Sequence, residues 1–263
     1  MTQAAQLVST LAPGKTDPVL AVRRDLAAAY RLIGHFGMDD SIFTHISARL
    51  PGPEDHFLLN AYGLRFEEVT PANLVTVDLK GRIVDDPTGL GINPAGFTIH
   101  SAVHAVRPDV VCVLHTHTVA GIAVSCMEEG LQSMNQWSLQ FHGRVAYHGY
   151  ESIALDLDER QRIQADLGER YVLILRNHGL LTCGRSVGEA FKLMYNLERS
   201  CRTQVAVLSS GQRPVPVPEE ICVKTAGQYA ANYDSIAQGG RQDYEWEAYL
   251  RLLDRAYPDW RES

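Results

Sequence analysis

The chain has 263 residues, 45% of them hydrophobic and 21% charged, with a formal net charge of −7. This balance describes a globular protein with enough apolar material for a substantial core, so neither a disulfide nor a metal is needed merely to fold it. The acidic charge and the lack of a basic tract argue against nucleic acid or an anionic membrane surface as the main partner.

Residues 1–18, with Pro13, Gly14 and Pro18, show little periodicity and are expected to form a mobile N-terminal arm. Val19 to Phe36 carries Val22, Leu26, Ala29, Tyr30 and Ile33 at helical spacing, and Gly37 suits its C-cap. Asp39 to Leu50 is expected to be a strand with Phe43, His45, Ser47 and Arg49 on one face. Such a polar line is unusual in a core strand. Phe57 to Asn60 and Leu74 to Leu79 read as further strands, with a tight turn at Tyr62-Gly63 between them and a hairpin turn at Lys80-Gly81 leading into Arg82-Ile83-Val84. Asn93 as N-cap and Pro94 as first helical residue open a helix that runs to about Val106.

The apolar run Val110 to Leu114 then ends in His115-Thr116-His117. Side chains alternate along a strand, so both imidazoles point the same way. Residues 118–129 suit a helix of small residues ended by Gly130. Val145 to Tyr150 and Ile153 to Leu155 read as short β pieces, and Glu159 to Leu167 as a helix. A second apolar run, Tyr171 to Leu175, ends in Arg176-Asn177-His178-Gly179. Ser186 and Glu189 are spaced as a capping box at the head of an amphipathic helix to Leu208. Pro214, Pro216 and Pro218 break the chain, and Tyr244 to Arg255 is a last helix. The main domain is expected over 19–210, with a helical extension over 211–263 packed on it.

The five cysteines, Cys112, Cys126, Cys183, Cys201 and Cys222, are odd in number and not closely paired, as expected of reduced packing thiols. No window reaches the roughly 18 apolar residues of a membrane helix, and the start lacks a signal-peptide pattern. A cytoplasmic protein that does not engage a membrane is expected.

Two histidines do not complete a metal site, since catalytic zinc takes three protein ligands and keeps a position open. His178, at the end of another apolar run, is the third candidate beside His115 and His117. His100 and His104 lie at i and i+4 on one helix face, a pair expected to pack or to support the site.

The segments VLHTHTVAGIAVS and LILRNHGLLTCGRSVGEAF resemble the class II aldolase/adducin family, and the likeness runs from about Arg23 to Gln204. It implies an α/β fold: a three-layer α/β/α sandwich around a central, largely antiparallel sheet. It also implies homotetramers with active sites between subunits, and a divalent metal on His115, His117 and His178, with Zn2+ expected and Fe2+ or Mn2+ as alternatives. Family aldolases carry an acid/base glutamate after two serines that help hold a substrate phosphate. Here Gly96 stands at the glutamate, Pro94 and Ala95 stand at the serines, and His45 replaces an asparagine of the early substrate loop. The Asn-Pro-Ala-Gly-Phe-Thr-Ile-His version resembles the adducin-like branch.

The resemblance places His45, Asn60, Gly63 and Gly96 beside the substrate. It sets Tyr147 at the position of a proton-donating tyrosine, with His142 and His148 flanking it as candidate bases. Phe43, Tyr62, Phe97 and Trp137 could form an apolar wall, while Arg23-Arg24 and Glu198-Arg199 read as solvated helix faces. Three readings follow: a metal-dependent lyase acting on a small unphosphorylated hydroxy or oxo compound, a non-haem Fe(II) oxygenase or decarboxylase of aromatic hydroxy or keto acids, and a non-catalytic adducin-like module.

Overall fold

Asp17 caps helix α1 (Pro18–His35) by accepting from the Val19 amide, so Pro18 belongs to the helix. The structure is a computed structural model that describes residues 17–52, 55–152 and 158–261; the remainder of the expected arm and the expected piece at Ile153 to Leu155 lie outside the described residues. Helix α1 buries Leu26, Ala29, Tyr30 and Ile33, the spacing read from the sequence. The Tyr30 hydroxyl accepts from the Ile46 and Asn60 amides at 2.8 and 3.1 Å, which ties the helix to two strands.

Those strands are β1 (His45–Arg49) and β2 (His56–Asn60), followed by β3 (Leu74–Asp78) and the short β4 (Ile83–Asp85). Helix α2 (Pro94–Val106) has Asn93 as its cap. It leads into β5 (Cys112–Thr116), α3 (Val119–Ser125), α4 (Gln136–Leu139), β6 (Val145–His148), α5 (Glu159–Leu167), β7 (Val172–Leu175) and β8 (Gly179–Gly184). Three helices close the chain: α6 (Val187–Ser209), α7 (Glu219–Ala237) and α8 (Tyr244–Ala256). The eight strands form one sheet in the order β4-β3-β2-β1-β5-β8-β7-β6, with only β6–β7 parallel.

Helices cover both faces of the sheet, giving the expected three layers. On one face Leu26, Tyr30 and Ile33 of α1 and Phe191, Met194 and Leu197 of α6 pack on Ile46, Ala48, Cys112 and Leu114. On the other, Ile99, Ala102 and Val103 of α2 and Ile163 and Leu167 of α5 pack on Val113, Leu173 and Leu181. Helix α8 is fastened to α6 through Trp246: a Cβ at Gly188 would lie 2.7 Å from the indole Cγ, so only glycine lets the ring settle there. Beside it the ammonium of Lys192, 1% exposed, is paired with both Asp243 oxygens at 2.6 and 2.7 Å.

Several expectations are corrected. Strand β1 begins at His45, because Ser41 (φ 52°) and Thr44 (φ 65°) are left-handed and fold the preceding residues into a turn. Phe43 therefore lies in that turn, exposed, with its amide on the Asp40 carbonyl. Strand β8 follows β7 through a hairpin turn, and a run as short as Gly-Leu-Leu-Thr-Cys-Gly gave no separate strand signal. Helix α7 has few buried positions, Cys222, Ala226 and Tyr233 among them, so its apolar stripe is too thin to read. The Glu189 carboxylate accepts from the Arg185 amide, one residue before the expected partner, while Ser186 does cap α6.

Arg23 donates to the Pro71 and Leu74 carbonyls, Glu198 is buried and accepts from the Thr118 hydroxyl, and Arg199 stacks 3.6 Å over Trp137; none of these faces is simply solvated. The five cysteines are free thiols, four of them buried. Among the described residues no helix is long and apolar enough to cross a membrane.

Replacing Trp246 by Ala removes the indole from the α6–α8 contact, and we expect a loss of about 3–5 kcal/mol, read as a lower urea midpoint. An unchanged midpoint would show that α8 does not contribute to the core.

Candidate metal centre

Parity along β5 sends Cys112 and Leu114 to the α1 face and Val113 and His115 to the α2 face. His117 lies just past the strand, and His178 comes from the β7–β8 turn, where Leu175 pairs with Gly179. Asn177, at φ 56°, makes that turn tight, and the His178 amide donates to the Leu175 carbonyl. A ligand nitrogen from each of His115, His117 and His178 lies within 4.8 Å of the others. Gly179 permits the approach, since a Cβ there would sit 2.4 Å from the Thr116 carbonyl oxygen.

Each β5 imidazole is oriented from behind. His115 Nδ1 is 2.9 Å from the Leu180 carbonyl, and His117 Nδ1 is 3.0 Å from Asp40 Oδ2. A carbonyl and a carboxylate only accept, so both Nδ1 atoms carry the hydrogen. The two Nε2 atoms then meet 2.8 Å apart. Burial holds His115 well below the usual histidine range, with His178 and His117 adding to the effect. Burial and then His117 push His178 down to about 4. Asp40 was not visible as a site residue in the sequence, where it stood at the head of the strand expected over Asp39 to Leu50.

His45 is hydrogen-paired in register with His115, and their ring centroids are 5.3 Å apart. It fills the volume a side chain at Gly96 would need: a Cβ there would be 2.5 Å from His45 Cδ2 and 2.8 Å from Nε2. Glycine at 96 and imidazole at 45 thus require each other. The polar line of β1 faces α2: His45 Nδ1 is 2.7 Å from His100 Nε2, and Ser47 Oγ lies 2.6 Å from His100 Nδ1 and 2.7 Å from His104 Nε2.

The other sequence candidates are dispersed. Asn60 is buried with Oδ1 2.8 Å from the Tyr30 hydroxyl, and Gly63 makes the expected turn at φ 103°. The Tyr147 hydroxyl accepts from the Leu131 amide at 3.0 Å, under Gly130, with the Arg176 guanidinium 4.2 Å over its ring. His142 bridges Ser133 and Glu219, at the head of α7. His148 is buried with Nδ1 2.7 Å from Asp166 Oδ2, and it lines a crevice of about 10 Å³, room for about one water, shared with His178, Tyr150, Glu151, Glu159 and Arg176. Of the expected apolar wall, Phe97 packs on Phe57 in the core and Trp137 is covered by Arg199, while Phe43 and Tyr62 are exposed. A larger cavity, about 480 Å³, opens at the far end of β7 around Tyr171, Arg185 and Tyr233, and no imidazole of the cluster lines it.

Residues 24–205 match the family model described as the Class II Aldolase and Adducin N-terminal domain. The chain belongs to this family. The family fold is equally plain in solved structures: an aldolase II superfamily protein from Pseudomonas syringae superposes with a TM-score of 0.86 at 50% identity, covering 97% of this chain and 99% of that one. An L-fuculose 1-phosphate aldolase from Glaciozyma antarctica gives 0.81 at 26% identity, with the same 97% and 99% coverage. A Pseudomonas aeruginosa protein provisionally named a class 2 aldolase is 50% identical over 91% of this chain and 92% of its own length. Alpha-adducin of Rattus norvegicus is 42% identical over 89% of the chain, a match that spans 33% of adducin.

Gly96→Ala drives a methyl into the His45 ring and should cost about 1–3 kcal/mol in a denaturant titration, and an unchanged stability would mean that the ring moves freely. Burial lowers His104 from 6.5 to about 3, so its folded pKa lies below its unfolded one. The neutral ring therefore favours the folded state fully above pH about 6.5, and this contribution is lost progressively as pH falls toward about 3. Urea midpoints across that window should show a smaller acid-side loss in His104→Gln than in the parent.

Proposed function

We propose that His115, His117 and His178 hold a divalent metal ion, Zn2+ in preference to Fe2+ or Mn2+, and that the chain is a class II aldolase-type carbon–carbon lyase. One observation carries the reading. With both Nδ1 hydrogens committed to Leu180 and Asp40, the Nε2 atoms of the neutral rings turn lone pairs toward each other at 2.8 Å. Facing lone pairs repel unless a cation lies between them. A proton would need only these two nitrogens, whereas a third imidazole from a separate turn is what a metal requires. Tetrahedral zinc with Zn–N bonds of about 2.0–2.1 Å sets ligand nitrogens about 3.3 Å apart, a small adjustment within a group that already spans 4.8 Å.

Bound there, the ion would supply a Lewis acid for a carbonyl or enolate oxygen, the chemistry needed to cleave the bond between a hydroxyl-bearing carbon and the carbon next to a carbonyl. Three neutral imidazoles leave its charge undiminished. Leu180 and Asp40 fix ring orientation, as partners behind metal-bound histidines do. His148 is the flanking residue best placed to take or give a proton: Asp166 holds its Nδ1, its buried Nε2 lies 3.5 Å from Glu159 Oε1, and the crevice it lines reaches His178. Tyr147 has its hydroxyl engaged within its own chain.

An unphosphorylated hydroxy or oxo compound fits the charges beside His178. The cation of that cavity, Arg176, is bonded to the Met127 and Glu128 carbonyls, and Glu151 and Glu159 line the same space. A phosphate dianion would meet carboxylates and a guanidinium already in use.

We expect one zinc per chain in protein purified without chelator and loss of tight binding in a His115→Ala, His178→Ala double variant. Asp40→Asn should weaken binding by about 10–100-fold, measured by competition with a chromogenic chelator. Parent-like affinity in the double variant would sink the assignment, and absence of metal at any occupancy would leave the binding-module reading.

A further inference from the structure

The polar line of β1 and the α2 histidines form a single file of hydrogen bonds, His45–His100–Ser47–His104, with contacts of 2.7, 2.6 and 2.7 Å. All four side chains are at most 5% exposed. The file starts beside the three-histidine cluster and ends at His104 Nδ1, a buried atom without a hydrogen-bond partner among the described residues.

Its direction can be worked out. All three rings are buried, and burial disfavours a charged imidazole, so each is neutral with one N–H. A contact between two ring nitrogens needs one hydrogen, neither none nor two. If the hydrogens point away from the cluster, His45 donates to His100, His100 to Ser47 and Ser47 to His104, and the hydrogen of His104 is left on Nδ1 with nothing to accept it. If both His100 and His104 donate to Ser47, the buried Ser47 hydroxyl hydrogen is stranded instead. One arrangement strands no hydrogen within the file: His104 Nε2 donates to Ser47, Ser47 to His100 Nδ1, and His100 Nε2 to His45 Nδ1, which leaves the His45 hydrogen on Nε2, outside the file. The loose end is then a lone pair on His104 Nδ1, and stranded buried N–H groups are rarer than under-satisfied acceptors. The Arg49 guanidinium, which donates to the His104 carbonyl, further disfavours positive charge on that ring.

We propose that His45 carries its hydrogen on Nε2 and presents it as a fixed hydrogen-bond donor to a substrate oxygen at the metal centre, with His100, Ser47 and His104 as the positioning residues that fix this tautomer. The proposal rests on the lyase reading for its substrate, but the tautomer itself does not. A nitrogen that bears hydrogen has no lone pair for a metal, so His45 is not a fourth ligand. Its Nε2 lies 2.8 Å from where a Cβ on Gly96 would stand, and its ring lies beside His115. A donor at that point suits a carbonyl or enolate oxygen, on which charge grows during carbon–carbon cleavage.

The test is the tautomer in metal-free protein carrying ring-¹⁵N histidine, read from two-bond ¹H–¹⁵N correlations near pH 8, with His45 assigned by the signals lost in His45→Gln. We expect a protonated Nε2 and a bare Nδ1. His104→Glu puts an acceptor at the far end, next to Arg49, and should reverse the file so that the His45 hydrogen moves to Nδ1. A bare Nε2 in the parent, or a folded His104→Glu whose His45 stays protonated on Nε2, would overturn the proposal. If that variant fails to fold, the parent spectrum still decides. Zinc stoichiometry, measured on the parent alone, fails independently when the metal reading is wrong.

Discussion

The antiparallel register of β1 against β5 is the constraint on which core and site both depend. It sets His45 opposite His115 and Ser47 opposite Val113. Parity then sends Ile46 and Ala48 into the apolar layer under α1, while His45 and Ser47 face α2. A slip of one residue would exchange the two sets. It would bury an imidazole and a hydroxyl among aliphatic side chains, each without its partner, at a cost of roughly 1–3 kcal/mol per stranded group. Register is therefore enforced twice, by hydrophobic burial on one face and by hydrogen bonding on the other.

The imidazoles themselves stand on less regular backbone. His178 follows a left-handed Asn177, and Thr44, just before His45, is also left-handed, at a cost of order 1 kcal/mol or more for a β-branched residue. Asp40, which orients His117, sits in the same turn as left-handed Ser41. Strained turns anchored on rigid strands bring side chains from distant parts of the chain to one point, which a continuous helix or strand could not do.

What the sequence revealed depended on how local each signal was. The bounds of α2 were legible because its Asn93 cap and its first-turn Pro94 are contained in the segment. The convergence of His115, His117 and His178 was legible because each histidine ends an apolar run. The odd polar line of β1 was visible without its explanation: the partners His100 and His104 are more than 50 residues away, and no local pattern couples them. Asp40 was likewise invisible, since its partner His117 lies 77 residues away and the turn that aims it was read as the start of a strand. Glu198 misled for the opposite reason, as its polar neighbours suggested solvent while Thr118 buried it.

The pairing of Gly96 with His45 changes the electrostatics of the centre. A carboxylate on a side chain at 96 and a ring at 45 would claim the same space, so the chain can have one or the other. With the ring, position 96 contributes no charge to the centre, and the Asp40 carboxylate acts from behind His117. An anionic acid/base at 96 would offset part of a metal's charge and abstract a proton directly. Under the proposed reading a neutral donor would do neither: it would leave the Lewis acidity of a bound ion intact and place stabilisation on the oxygen that gains charge. Proton transfer would then fall to a group elsewhere, and His148, held by Asp166 beside His178, would complement such a donor rather than duplicate it.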